Sequence, residues 1–239
     1  MQEYLLFVDT ETTGLPRKWT ADYGVRDNWP SAVQVAWVLY TRDGREIKRE
    51  NFYVSDNDVP ITSRAQEIHG LEPVYLARHG VPRQLVMQRL AEDLNQYQPL
   101  VIGHFVLLDF HVLNADFMRC TIASPLEKAR LYCTMLASVR HIKKPWRKYL
   151  RLNELYQELF GKPLGAMHHA LVDAEATAAC FFELWKRGEI DETAVAAQQH
   201  RLRQGRECNA TGITRPWQWL LIFVVVLMLI GFVFLRNSA

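Results

Sequence analysis

A chain of 239 residues that is 49% hydrophobic and 23% charged has the balance of one folded domain plus an appendage, which excludes a disordered or low-complexity polypeptide. The net charge of +2 leaves any contact with nucleic acid to local clusters, since the chain as a whole is barely basic. Its four cysteines (Cys120, Cys133, Cys180, Cys208) are scattered, with no Cys-x-x-Cys and no histidine at zinc spacing, which excludes a disulfide framework and points to reduced thiols in a cytoplasm. The N-terminus lacks the basic-then-apolar pattern of a signal peptide.

Tyr4-Leu5-Leu6-Phe7-Val8 reads as a buried strand, and it runs into Asp9-Thr10-Glu11-Thr12-Thr13-Gly14-Leu15. Side chains two apart on a strand share a face, so Asp9 and Glu11 converge. Two carboxylates on a rigid strand suit a hard divalent cation such as Mg²⁺ or Mn²⁺. An Asp-x-Glu pair alone would equally be two solvated acids before a turn, and it is the length of the whole motif that favours the cation. Residues 16–30 carry Trp19, Tyr23 and Trp29 among charged residues. They form either a loop beside a substrate or a surface lid packed by its own aromatics.

Strands are expected at 4–8, 33–40, 46–54, 100–103 and 130–133, and helices near 62–69, 82–97, 107–117, 135–141, 152–160 and 171–187. Three early strands in meander order, then strands alternating with helices, make a mixed α/β sheet. The strand Leu100-Val101-Ile102-Gly103 feeds an apolar helix that carries one acid, Asp109, where an unpaired charge would cost several kcal/mol, so a partner or a metal is expected there. Lys143, Lys144, Arg147, Lys148 and Arg151 crowd one stretch with Trp146 and Tyr149. That pattern fits a nucleic-acid backbone with stacked bases, or a solvated charge run at a helix start. Further on, His168 precedes a helix whose apolar positions include Leu171, Ala174, Ala178, Phe181 and Trp185, which puts Asp173 in its first turn. An acid there also complements the helix dipole, so position alone does not make Asp173 a ligand.

Residues 188–216 read as a polar linker, helical around 192–204. The character then changes. Leu220–Leu235 is unbroken apolar sequence, and 217–235 would span roughly 28 Å as a helix, close to the hydrocarbon thickness of a bilayer. Trp217 and Trp219 mark an aromatic belt, so 217–236 is expected to be one C-terminal transmembrane helix in a lipid bilayer. Arg201, Arg203, Arg206 and Arg215 precede the span and only Arg236 follows it, which orients the domain toward the cytoplasm as a single-pass inner-membrane protein.

Asp9 and Glu11, then Gly-His-x-Val-x-x-Asp ending at Asp109, then His-x-Ala-x-x-Asp from His168 to Asp173, together resemble the three-motif signature of DEDDh (DnaQ-like) 3′→5′ exonucleases. That family includes the proofreading subunit of the bacterial replicative polymerase, ribonuclease T and oligoribonuclease. Ala32–Val38 resembles its second strand, and Ile61-Thr62 through Ile68-His69-Gly70-Leu71 a lesser motif. The resemblance implies a ribonuclease H-like fold over residues 1–187, a mixed five-stranded sheet flanked by helices with the acids at one sheet edge. It implies that Asp9, Glu11, Asp109 and Asp173 hold two Mg²⁺ or Mn²⁺ ions, and that His168 is the general base. Thr13 and Leu15 would meet the terminal nucleotide through backbone groups and an apolar wedge, whereas His169 is out of register and expected at the surface.

The implied substrate is the 3′ end of single-stranded or frayed nucleic acid, with DNA favoured and nucleoside 5′-monophosphates as products. RNA trimming is the alternative, because the motifs do not read a 2′-hydroxyl. A non-catalytic nucleic-acid-binding membrane tether is a weaker one, since all five chemical positions are intact. No protein partner can be named from the residues. Two positions depart from the family pattern: Phe105 stands where Asn usually follows Gly-His, and Cys133 where Asp usually precedes Thr134.

Overall fold

The computed structural model describes residues 2–211 except 57, 144, 166 and 167, with the backbone alone for 204–211. Its centre is a five-stranded sheet in the order β3-β2-β1-β4-β5. The strands are β1 (Tyr4–Thr12), β2 (Ala32–Thr41), β3 (Glu46–Tyr53), β4 (Leu100–Gly103) and β5 (Arg130–Cys133). β1, β2 and β3 form an antiparallel meander, and β4 and β5 add in parallel on the other side of β1. The helices are α1 (Ser63–His69), α2 (Pro73–His79), α3 (Arg83–Tyr97), α4 (Val106–Arg119), α5 (Thr134–Ala137), α6 (Leu152–Phe160), α7 (Ala170–Lys186) and α8 (Glu192–Thr211).

The period-2 alternation of β1 divides the core into two layers. Leu6 and Val8 pack with Val86, Leu90, Val112 and Phe117 of α3 and α4. Leu5 and Phe7 pack with Leu155 of α6 and Phe181 and Leu184 of α7. Burying both faces explains why β1 and β4 read as continuous apolar runs. β1 outlasts its parallel neighbour: its pairing with β4 ends at Phe7 opposite Ile102, while its pairing with β2 continues to Thr12. From Val8 onward, one side of β1 is open to the ends of the helices.

Residues 16–30 fold back onto α4, and a buried ionic knot holds them there. Asp116 is fully buried, and its carboxylate accepts from Ser31 Oγ (3.0 Å), Ala32 N (2.9 Å) and Arg119 Nη1 (2.6 Å), with Arg83 Nε at 3.2 Å. Arg119 also donates to the carbonyls of Trp29 and Pro30. Removing one partner from such a knot strands a buried charge, which generally costs about 3–5 kcal/mol.

Within the stretch read as a polar linker, α8 is a single helix whose first half docks on the edge strand. The Gln199 amide accepts from Leu131 N at 3.1 Å and donates to Leu131 O, and the Gln198 amide does the same for Cys133 at 2.9 and 3.2 Å. Two glutamine amides thus satisfy backbone groups that a sixth strand would take, with Val195 and Leu202 buried beneath. Among the described residues no helix is long and apolar enough to cross a membrane; 217–236, read as a membrane span, lies outside them.

Candidate active site

Asp9 and Glu11 emerge where β1 runs past β4, on the face that Leu5 and Phe7 present to α7. Asp173, in the first turn of α7, comes toward them from that layer. Asp109, in the first turn of α4, comes from the other layer, and Thr10 Oγ1 donates a 2.8 Å hydrogen bond to its Oδ1. All four acids named in the sequence are therefore brought to one place by one strand and two helix starts.

Their electrostatics confirm the proximity. Burial, then repulsion from Asp109, Asp173 and Glu11, holds Asp9 well above the usual carboxylate range. Glu11 is pushed up to about 7 by burial, then by Asp173 and Asp109. Burial also raises Asp109 to about 7, against the Thr10 hydroxyl, which favours its charged form. Asp173 is raised by burial and opposed by the His168 backbone N–H. No Lys or Arg pairs with any of the four among the described residues. Crowded acids without cationic side chains are a fit for hard divalent cations, which favour oxygen donors.

His168 joins the cluster. An imidazole nitrogen of His168 and carboxylate oxygens of Glu11 and Asp173 lie within 4.8 Å of one another. The His168 backbone is left-handed (φ 61°) and its N–H donates to Asp173 Oδ2 at 3.1 Å, so a strained residue is pinned beside the acid five positions on. Its ring stays exposed and free to face solvent or a ligand.

His169, expected at the surface, is instead part of the frame. Its Nε2 lies 3.2 Å from both Gln34 Nε2 and Tyr53 Oη, so it accepts from them, and its Nδ1 is buried without a partner. The expectation failed because the turn before α7 folds inward onto β2. Gln34, which sequence reasoning passed over, is fully buried; its Oε1 accepts from Ala170 N at 3.2 Å and its Nε2 donates to Asn51 Oδ1 at 2.8 Å. It thus ties the first residue of α7, and with it Asp173, to the strand position opposite Glu11. The available signal was one amide in an otherwise apolar strand.

Thr13 and Leu15 part company. Thr13 is 3% exposed, its N–H donates to Ser31 O, its carbonyl accepts from Thr62 N, and its hydroxyl accepts from Ser31 N. Its backbone groups are used in clamping two loops and are not offered to a ligand. Leu15, four residues past Glu11, is 70% exposed. The basic stretch is partly neutralised, for Lys143 pairs with Glu158 at 2.8 Å and Arg147 with Glu154, both on α6.

Of the two departures from the family pattern, Cys133 is buried at the end of β5 with its backbone bonded to Gln198, and Phe105 opens α4. Phe105 is left-handed (φ 76°) at the cap of α4, and its ring meets Trp19 at 5.7 Å. Thr134 faces His104 Nδ1 at 3.0 Å, while His104 Nε2 donates to Leu150 O at 3.1 Å. Burial lowers the His104 imidazole to about 4, so it stays neutral and serves as a strut between β4 and the chain leading into α6.

The sequence profile of a family described as exonuclease matches residues 6–181, nearly the whole sheet and both acid-bearing helices. The chain belongs to this exonuclease family. No curated protein matches it by sequence. Among solved structures it resembles the zinc-bound complex of E. coli exonuclease I with single-stranded DNA, at 19% identity and a TM-score of 0.64 over 78% of this chain and 41% of that one. The complex of the E. coli enzyme with a dA16 oligonucleotide gives 20% and 0.61 over 77% and 41%. A moderately thermophilic exonuclease I from Methylocaldum szegediense gives 22% and 0.60 over 77% and 40%. These likenesses establish the fold, and this chain spans about two fifths of the length of the proteins it matches.

The acid cluster makes the cation-free protein pH-sensitive. Folded-state values near 7 for Glu11 and Asp109, against 4.5 and 3.8 ordinarily, mean that the native state holds protons the unfolded chain has lost. The contribution of these two groups to stability is therefore greatest in acid and is lost as pH rises through about 7. Urea midpoints should drop between about pH 5.5 and 8 without divalent cation, and the Glu11→Gln/Asp109→Asn variant should flatten the decline. A wild-type midpoint that rises over this interval would contradict the clustering.

Proposed function

We propose that this chain is a metal-dependent 3′→5′ exonuclease that removes nucleoside 5′-monophosphates one at a time from single-stranded or frayed DNA. The observation that carries the proposal is the convergence of Asp9, Glu11, Asp109 and Asp173 with His168, a mutually repelling set that needs cations. The deoxyoligonucleotide complexes of E. coli exonuclease I support DNA as the substrate class, over the same fold.

The four carboxylates would hold two Mg²⁺ or Mn²⁺ ions. When bound, such ions neutralise the charge that builds on the phosphate and lower the pKa of water. His168, exposed and adjacent to Glu11 and Asp173, takes the proton of the attacking water. The new P–O bond forms as the P–O3′ bond to the penultimate nucleotide breaks, and solvent supplies the proton to the leaving oxygen. Leu15 wedges against the terminal nucleotide, and Gln34 keeps Asp173 in register with Glu11.

The test is digestion of 5′-labelled single-stranded DNA and RNA with Mg²⁺ or Mn²⁺. The expected result is a ladder shortening from the 3′ end on DNA, abolished by Asp9→Ala and slowed about 10²–10⁴-fold by His168→Ala, whose pH–rate profile loses its rising limb. Undiminished hydrolysis by purified Asp9→Ala would sink the assignment, and a ladder on RNA alone would move the substrate class.

We further propose that 217–236 anchors the enzyme in the inner membrane, with the domain in the cytoplasm. The apolar length, the tryptophan pair and the arginine asymmetry support it. Full-length protein should sediment with membranes and resist carbonate and high salt, because insertion is not screened like a surface charge contact. Salt-extractable protein would contradict the anchor.

A further inference from the structure

Residues 16–30 lie outside the acid cluster, and through Trp19 they reach Phe105, the residue that caps the Asp109-bearing helix α4. Arg17 N donates to Asn28 O at 3.1 Å and Lys18 N to Asn28 Oδ1 at 2.9 Å, closing the segment into a loop with Trp19 near its start. The Trp19 ring sits edge-on to Trp29 at 6.2 Å and to His111 at 6.1 Å, and tilted against Phe105 at 5.7 Å. Even with three ring neighbours it is 38% exposed. Its neighbour Trp29 is buried and tied through its carbonyl to Arg119 of the Asp116 knot.

Phe105 supplies a second observation. A phenylalanine at φ 76° is strained, because its Cβ crowds the backbone in the left-handed region. That strain is kept one turn before Asp109, at the end of α4 nearest the acids, and its effect is to place an aromatic ring beside Trp19. Strain of this kind concentrates where a ligand is held. Leu15, four residues past Glu11, is also exposed, and Arg17 and Lys18 directly precede Trp19, both exposed and with no acidic partner among the described residues.

We propose that Trp19, backed by Phe105, is a stacking platform for a nucleobase of the substrate strand within about three nucleotides of the 3′ end. Arg17 and Lys18, next to it in the chain, meet the phosphates of the same stretch of strand. Stacking on an indole tolerates every base, so the platform gives grip and register without sequence preference. It favours strands whose bases are already unpaired, because a base within a duplex cannot reach an isolated aromatic surface. The inference rests on the exonuclease reading above and adds the site that holds the strand upstream of the cleaved bond.

The experiment uses the full-length enzyme in detergent, with oligodeoxynucleotides bearing a single abasic residue at each of the first few positions from the 3′ end. Wild type should show a KM about tenfold higher when the stacked position is abasic, with kcat little changed. Trp19→Ala should carry the same KM increase on the intact strand and be indifferent to the abasic residue at that one position, while Trp19→Phe restores most of the affinity. A Trp19→Ala enzyme with wild-type KM, or one in which the two losses multiply, would overturn the platform. Failure of the wild type to shorten any strand would instead overturn the exonuclease reading, so the two failures are told apart.

Discussion

Repulsion among carboxylates crowded at one site, two buried and two half-buried, is the constraint around which this fold is organised. Asp9, Glu11, Asp109 and Asp173 come from one strand and two helices on opposite layers of the sheet; burial makes each reluctant to ionise, and repulsion adds to it at Asp9, Glu11 and Asp109. Nothing in the local chemistry would bring them together. They are held by the rest of the molecule: two apolar layers clamp β1, and β4 ends early enough to leave Asp9 and Glu11 uncovered.

Each acid has its own support, built from neutral groups that do not cancel its charge. Thr10 holds Asp109, the His168 N–H holds Asp173, and Gln34 fixes the start of the helix carrying Asp173. Arg83 and Arg119 are spent elsewhere, on Asp116 and Asp58. Cationic side chains therefore stabilise the scaffold while the cleft stays negative, which leaves its charge for ions to neutralise. Two left-handed residues border this cleft, Phe105 capping the helix that carries Asp109 and His168 two residues before the helix that carries Asp173.

Much of this was legible in the residues because the signals were local. β1, the Asp-x-Glu pair, Asp109 alone among hydrophobes and Asp173 at a helix start all follow from periodicity and the expense of buried charge. The strands at 100–103 and 130–133 and the helix at 152–160 lie where the apolar runs put them. What was not legible depended on long-range partners. Thr13 reads as a turn residue near a ligand, and only the fold shows Ser31 and Thr62 taking its polar groups. His169 looks like a spare histidine until β2 and Tyr53 come up against it. The short α2 has no periodic stripe to announce it, and the docking of Gln198 and Gln199 on β5 uses side chains whose polarity suggested solvent.

The central claim, that the acids are a cation site held under charge strain, is tested most directly by titrating the purified protein with Mn²⁺ in a calorimeter at about pH 6.5, in two buffers of different ionisation enthalpy. Acids that hold protons in the free state must release them as the ions bind. The account predicts two ions per chain and an apparent enthalpy that changes with buffer in the sense of proton release, both lost in Asp9→Asn/Asp173→Asn. Binding without proton release, or saturation unaffected by that double substitution, would contradict it.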